Sequence, residues 1–136
     1  MPPLLLDTHA AIWSALGTVT PSARKAIDAA AGRGELLLSP ISAWEIGMLV
    51  AKGRLELAMP VETYVDTLYA LPGVVTAALT PKIAAAAASL PGEPHGDPAD
   101  RLLIATAAAF GATLVTRDER ILHYARVTRY VRCASC

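Results

Sequence analysis

The sequence predicts an α/β fold: a central, mostly parallel sheet of four or five strands between layers of helices. Three observations carry that prediction. Short apolar runs alternate with longer helical segments through most of the chain, which is the pattern of parallel strands joined by crossover helices. The strand candidates are continuously apolar rather than alternating, as expected of strands covered on both faces. Thr20-Pro21, Thr80-Pro81 and Asp97-Pro98 each place a capping side chain before a proline, a start signal for a helix because proline lacks only a donor that the first turn cannot use.

Taken in order, Leu4-Leu5-Leu6 is a buried strand ending at Asp7, followed by a short helix from about Thr8 to Leu16. The second helix starts at Thr20-Pro21 and is closed by Gly32 and Gly34. Residues 35–39 form a second strand, and residues 41–52 a helix ending at Gly53. Pro60 opens a helix that Pro72-Gly73 ends, and residues 73–79 hold a third strand. The helix after Thr80-Pro81 is almost all alanine, which suits close packing against a neighbour. Residues 91–96, rich in proline and glycine, form a loop. A helix then runs from Asp97-Pro98 to about Phe110, residues 112–116 make a strand, residues 117–123 a short helix and residues 127–131 a final strand.

At 136 residues the chain is expected to be one domain, 1–136, with a core that needs no staples. Lys plus Arg and Asp plus Glu balance at 12 each, so any attraction to nucleic acid must be local. The only cysteines, Cys133 and Cys136, lack the second pair of a zinc site and point to no disulfide scaffold. Residues 1–16 have no basic segment and carry Asp7 inside an apolar stretch, unlike a signal peptide. The longest uncharged apolar stretch, residues 102–116, is interrupted by Gly111 and is too short to span a bilayer. A cytoplasmic protein without a membrane partner is the expectation.

In open parallel sheets ligands collect beyond the carboxyl ends of the strands. Asp7 follows the first strand directly, and Asp118 stands two residues beyond Thr116. Asp97 and Asp100 fall in the first turn of one helix, and Glu45 one turn into another. Each has an ordinary reading. Asp97 can cap its helix, Asp100 can complement the helix dipole, Asp118 can start a helix, and Glu45 can be solvated. Asp7 is the hardest to explain in this way, because a carboxylate closing an all-leucine strand is costly to bury without a partner. Gathered together, such carboxylates repel and require a cation. An all-oxygen set suits Mg²⁺ or Mn²⁺, whose chemistry is metal-assisted hydrolysis.

Other chemistries lack their motifs. There is no G-x-S-x-G, no phosphate-binding P-loop and no G-x-G-x-x-G. His9, His95 and His123 have no ligand spacing; His9 is expected to line the site rather than to catalyse. Trp13 and Trp44 read as core or interface anchors rather than base-stacking platforms. Arg117, Arg120, Arg126, Arg129 and Arg132 crowd the C-terminal part of the chain. They are either a grip for phosphates or the guarding charges of an edge strand.

Together these residues resemble the PIN-domain family, and within it the VapC-type toxins. The resemblance rests on four segments: Leu4-Leu5-Leu6-Asp7-Thr8-His9, Ser42-Ala43-Trp44-Glu45-Ile46, the stretch His95-Gly96-Asp97-Pro98-Ala99-Asp100-Arg101-Leu102-Leu103-Ile104-Ala105, and Thr116-Arg117-Asp118. It implies an α/β/α sandwich, an acidic Mg²⁺ or Mn²⁺ site, cleavage of RNA, a homodimer and a cognate antitoxin that blocks the site. Carried over by position, Asp7 and Asp118 would be metal ligands and Glu45 the helix-borne acid. The remaining acid is Asp100 or Asp97; Asp100 is favoured because the apolar helix follows it almost directly. Thr116 would support the cluster, and Arg117, Arg120, Arg126 and Arg129 would hold RNA. The competing expectations are a non-catalytic RNA- or protein-binding module and a phosphatase- or receiver-type phosphotransfer domain. For the phosphatase pattern, His9 stands where a second Asp is wanted.

Overall fold

The computed structural model describes residues 1–94 and 96–136; His95, part of the predicted loop and of the third segment above, lies outside the described residues. Twelve elements follow in the order β1 (Leu4–Leu6), α1 (Thr8–Leu16), α2 (Pro21–Gly32), β2 (Leu36–Leu38), α3 (Pro40–Ala51), α4 (Val61–Tyr69), β3 (Val74–Thr76), α5 (Pro81–Ala88), α6 (Pro98–Phe110), β4 (Thr113–Val115), α7 (Glu119–Thr128) and β5 (Arg132–Ala134). The sheet has five strands in the order β3-β2-β1-β4-β5. All four pairings are parallel, with Leu5 opposite both Leu37 and Leu114 at its centre.

Alternate side chains of the strands feed two cores. Leu5, Leu37 and Leu114 point to one face and meet Ile83, Leu103, Ile104 and Ile121 from α5, α6 and α7. Leu6, Leu36, Leu38 and Val115 point to the other and meet Ala10, Ile27 and Leu68 from α1, α2 and α4. Apolar strands are thus required on both faces, which is why leucine runs replace alternation. Helix α3 packs against α1, α4 and α6, so it bridges the two helical layers at one end of the sheet.

The proline-led starts are as predicted. Thr20, Thr80 and Asp97 each accept a hydrogen bond from the third residue of their helix, as N-caps do. Gly73, at φ +82°, is required at the entry to β3. A Cβ there would stand 1.9 Å from the Ala31 carbonyl oxygen, so only glycine lets the chain pass the end of α2.

The C-terminal part departs from the sequence expectation. The strand predicted over residues 127–131 is not one: α7 continues to Thr128, Arg129 closes it in the left-handed region at φ 53°, and β5 begins at Arg132. Ile121, Tyr124 and Ala125 bury one face of α7, and that helical period extends through Val127, which is 67% exposed. Cys133 packs against the α5–α6–α7 core and Cys136 lies in the other. Facing opposite sides of the sheet, the two thiols do not form a joint site. No helix among the described residues is long and apolar enough to cross a membrane.

Candidate active site

The strand order reverses between β1 and β4, which neighbour one another while their crossovers lead to opposite sides. That is where an open parallel sheet leaves a crevice beyond its carboxyl ends. A cleft of about 570 Å³ occupies this position, and all five predicted acids, Asp7, Glu45, Asp97, Asp100 and Asp118, line it.

Asp7 leaves β1 and caps α1: the Ala10 N–H donates to Asp7 Oδ1 at 2.7 Å. It is only 8% exposed. Burial pushes its carboxyl up, while the Thr116 hydroxyl, the Ala10 N–H and His9 oppose that and Asp118 adds to it. Thr116, fully buried after β4, hydrogen-bonds Asp7 and accepts from the Asp118 N–H at 3.0 Å. It therefore ties together the acids that follow the two adjacent strands. Asp118 caps α7, with Oδ1 accepting from Arg120 N–H at 2.8 Å and Ile121 N–H at 3.4 Å.

Glu45 reaches the cleft from α3. Thr8 Oγ1 donates to Glu45 Oε1 and lies 3.0 Å from the buried Ser42 Oγ, so a pair of hydroxyls fixes the carboxylate. Burial raises the Glu45 carboxyl, Thr8 lowers it, and Asp97 and Asp7 push it up again. Asp97 caps α6 by accepting from Asp100 N–H at 3.1 Å. Asp100, one turn in, feels the whole cluster. Burial first, and then Asp97, Glu45, Asp118 and Asp7, push its carboxyl up to about 7.

Asp97 and Asp118 cap their helices as their ordinary readings expected, Asp7 proves to be a cap as well, and all three line the cleft. A cap explains one oxygen of an aspartate; it does not explain five acids on one hollow. Among the described residues, no three His, Cys, Asp or Glu side chains converge at ligand spacing on one point. The acids share a cleft and a field rather than a closed coordination sphere. The donors of the cleft acids are all carboxylate oxygens, a set that suits hard cations rather than the nitrogen and sulfur sets of structural zinc.

The predicted arginines separate. Arg120 lines the cleft and lies 3.7 Å from Asp118. Arg117 also lines it, but its guanidinium covers Trp13 at 4.1 Å and donates to the carbonyls of Thr18 and Cys136 at 3.0 and 3.1 Å. Arg126 pairs with Glu119 at 4.0 Å, and Arg129 caps the far end of α7; neither lines the cleft. His9 lines it as expected, 5.5 Å from the Trp13 ring. Trp13 packs partly buried against the core, whereas Trp44, also expected as an anchor, is 59% exposed.

Sequence reasoning missed Arg54 at the cleft. Gly53, at φ +71°, turns the chain after α3 so that the Arg54 N–H bonds the Leu49 carbonyl at 2.9 Å, which returns Arg54 toward its helix. The glycine after the helix was the available signal. Thr8 and Ser42 were also missed as the partners that fix Glu45.

Comparison with known proteins agrees with this architecture. The family described as "PIN domain" matches residues 4–127. Ribonuclease VapC22 of Mycobacterium tuberculosis is 39% identical over 123 residues, covering 89% of this chain and 91% of that protein. The crystal structure of VapBC2 from Rickettsia felis bound to a DNA fragment from their promoter superposes with a TM-score of 0.71 at 17% identity, covering 97% of each chain. DNA-bound VapBC from Salmonella typhimurium gives 0.69 at 18% identity, covering 99% of this chain and 98% of that one. At those identities the two structures speak to the fold alone.

Proposed function

The chain belongs to the PIN-domain family, and from that premise we propose that it is a VapC-type endoribonuclease, the toxin of a toxin–antitoxin pair, hydrolysing RNA phosphodiester bonds at the acidic cleft. The observation that carries the reading is the gathering of five carboxylates on one cleft, where burial first and then the four other acids push the Asp100 carboxyl up. Such a cluster is ionised together only around a cation. The resemblance in sequence to a ribonuclease supports RNA as the substrate.

Asp7, Glu45, Asp100 and Asp118 are the residues that would hold Mg²⁺ or Mn²⁺, with Asp97 at the edge of the group. When bound there, such an ion polarises the phosphoryl oxygen and makes water a nucleophile at neutral pH. Thr116 orients Asp7, and Thr8 with Ser42 orients Glu45, so the acids are set before substrate arrives. A cation held there would favour the ionised form of Asp100, whose carboxyl burial and the other acids push up. Arg120 and Arg54, on the cleft wall, attract the phosphates that the carboxylates alone would repel. Arg117 holds the wall itself through Trp13. A cognate antitoxin polypeptide, a homodimer and a cytoplasmic setting complete this reading.

The test is cleavage of a mixed cellular RNA pool by the purified protein with Mg²⁺, with Mn²⁺ and with EDTA. Discrete cuts with either cation and none with EDTA are expected. Intact RNA under every condition, from folded protein free of antitoxin, would overturn the proposal.

A further inference from the structure

We propose that Trp44 is a base-stacking platform for single-stranded RNA beside the acidic cleft, with Lys52 and Arg54 holding the adjoining phosphates. This rests on the ribonuclease reading and adds to it the residues that seat the strand. Trp44 and Met48 stand four apart on α3, and Lys52, four further on, caps its C-terminal end, so the three follow one face. They line a hollow of about 280 Å³ together with Leu49 and Arg54. This hollow adjoins the cleft: His9, Glu45, Arg54 and Asp97 line both.

Trp44 is 59% exposed, an uncommon state for the largest apolar side chain unless it meets a partner. Glu45 lines both hollows, so a base on the Trp44 ring sits in the hollow that adjoins the acids. Lys52 and Arg54 are both exposed, and among the described residues neither forms an ion pair. An aromatic face beside two cations is the combination that holds single strands, one part taking bases and the other phosphates. With Arg120 on the cleft wall, cations then stand at more than one point along a strand crossing the acids. A chain with no net charge needs such local placement to hold RNA at all.

The test measures binding of a short single-stranded 2′-O-methyl oligoadenylate, which resists cleavage, with Mg²⁺ present. It uses tryptophan emission and a separation assay, with light scattering on every variant. Trp44→Leu keeps an apolar side chain without a ring and should weaken binding about ten-fold. Trp44→Phe should bind within about three-fold of wild type yet lose the larger part of the RNA-induced quenching, leaving only the signal of Trp13 on the cleft wall. Arg54→Gln should lower the salt dependence by about one counterion. Equal binding by Trp44→Leu and wild type would overturn the subsite, while cleavage of the RNA pool would leave the ribonuclease reading standing. A Trp44→Leu variant that changes its oligomeric state would also overturn it, making Trp44 a contact between copies. If wild type neither binds nor cuts RNA, the ribonuclease reading fails and the subsite with it.

Discussion

Two hollows of this molecule, on either side of α1, are built from opposite materials. One is an apolar groove of about 360 Å³ formed by Leu6, Ile27, Leu36, Leu38 and Leu68 among others, with Arg24 and Asp28 on its wall. Those two pair with each other at 3.1 Å, and Arg24 also donates to the Ser14 carbonyl and hydroxyl. Its charges are therefore satisfied locally. The other is the acidic cleft, where acid meets acid and Asp100 is driven to about 7. The apolar hollow holds one locally satisfied ion pair, whereas the cleft gathers five carboxylates. A concentration of like charge in a cleft is a stronger pointer to a candidate site than shape alone.

The largest expected difference follows from one substitution in each region. Asp7→Asn should lower RNA cleavage by about a hundred-fold or more and leave thermal stability nearly unchanged, since asparagine caps a helix as well as aspartate does. Leu68→Ala in the groove should do the reverse, losing about 2–5 kcal/mol of stability while activity per folded molecule holds. Unfolding melts and cleavage rates on both variants would show whether the two regions separate in this way. Next, Asp100→Asn should cost far more activity than Asp97→Asn, because Asp100 is the acid on which all the others act. The opposite ranking in initial rates would make Asp97 the working acid.

Smaller effects are expected from the basic side chains. Arg120→Ala should raise the RNA KM several-fold, about what one phosphate contact gives, whereas Arg126→Ala with Arg129→Ala should change it little. The smallest effect is on stability. In metal-free protein the Asp100 carboxyl binds its proton more tightly when folded, about 7 against an ordinary 3.8. Its contribution is complete at low pH and is lost as pH rises through 7, and the raised Asp7 and Glu45 carboxyls act in the same direction. Melting temperature should therefore fall by a few degrees, on the order of what ~1 kcal/mol gives, between pH 5.5 and pH 8. Mg²⁺ should restore it mostly at the higher pH, and Asp100→Asn should flatten the profile.

Much of this was legible in the sequence, for identifiable reasons. Leucine runs and proline-led helices are local signals, and they located β1, β2, α2, α5 and α6. The acids were legible because each stands at a strand end or in a helix's first turns, where topology alone brings it to one edge. The strand β5 was not: Arg132–Ala134 has no apolar run, and pairing with β4 rather than composition makes it a strand. The arginines misled for a related reason. Arg126 and Arg129 are near Asp118 in sequence, but α7 carries them roughly 12 and 17 Å along its axis. Arg54, distant in sequence from every aspartate of the site, returns to the cleft through the turn at Gly53. Whether Trp44 belonged to the core or to an interface was not legible, because a helix's buried face cannot be assigned when apolar residues lie on all sides of it, as in α3.

The central claim is that Asp7, Glu45, Asp100 and Asp118 act as one cation site with Asp97 at its edge, and calorimetric titration of Mn²⁺ or Mg²⁺ at pH 7 tests it most directly. Repeating the titration in buffers of different ionisation enthalpy counts the protons released. Wild type should bind the cation with release of a proton, chiefly from Asp100, and Asp7→Asn should bind it much more weakly. Equal binding by both proteins, or none by wild type, would contradict the claim.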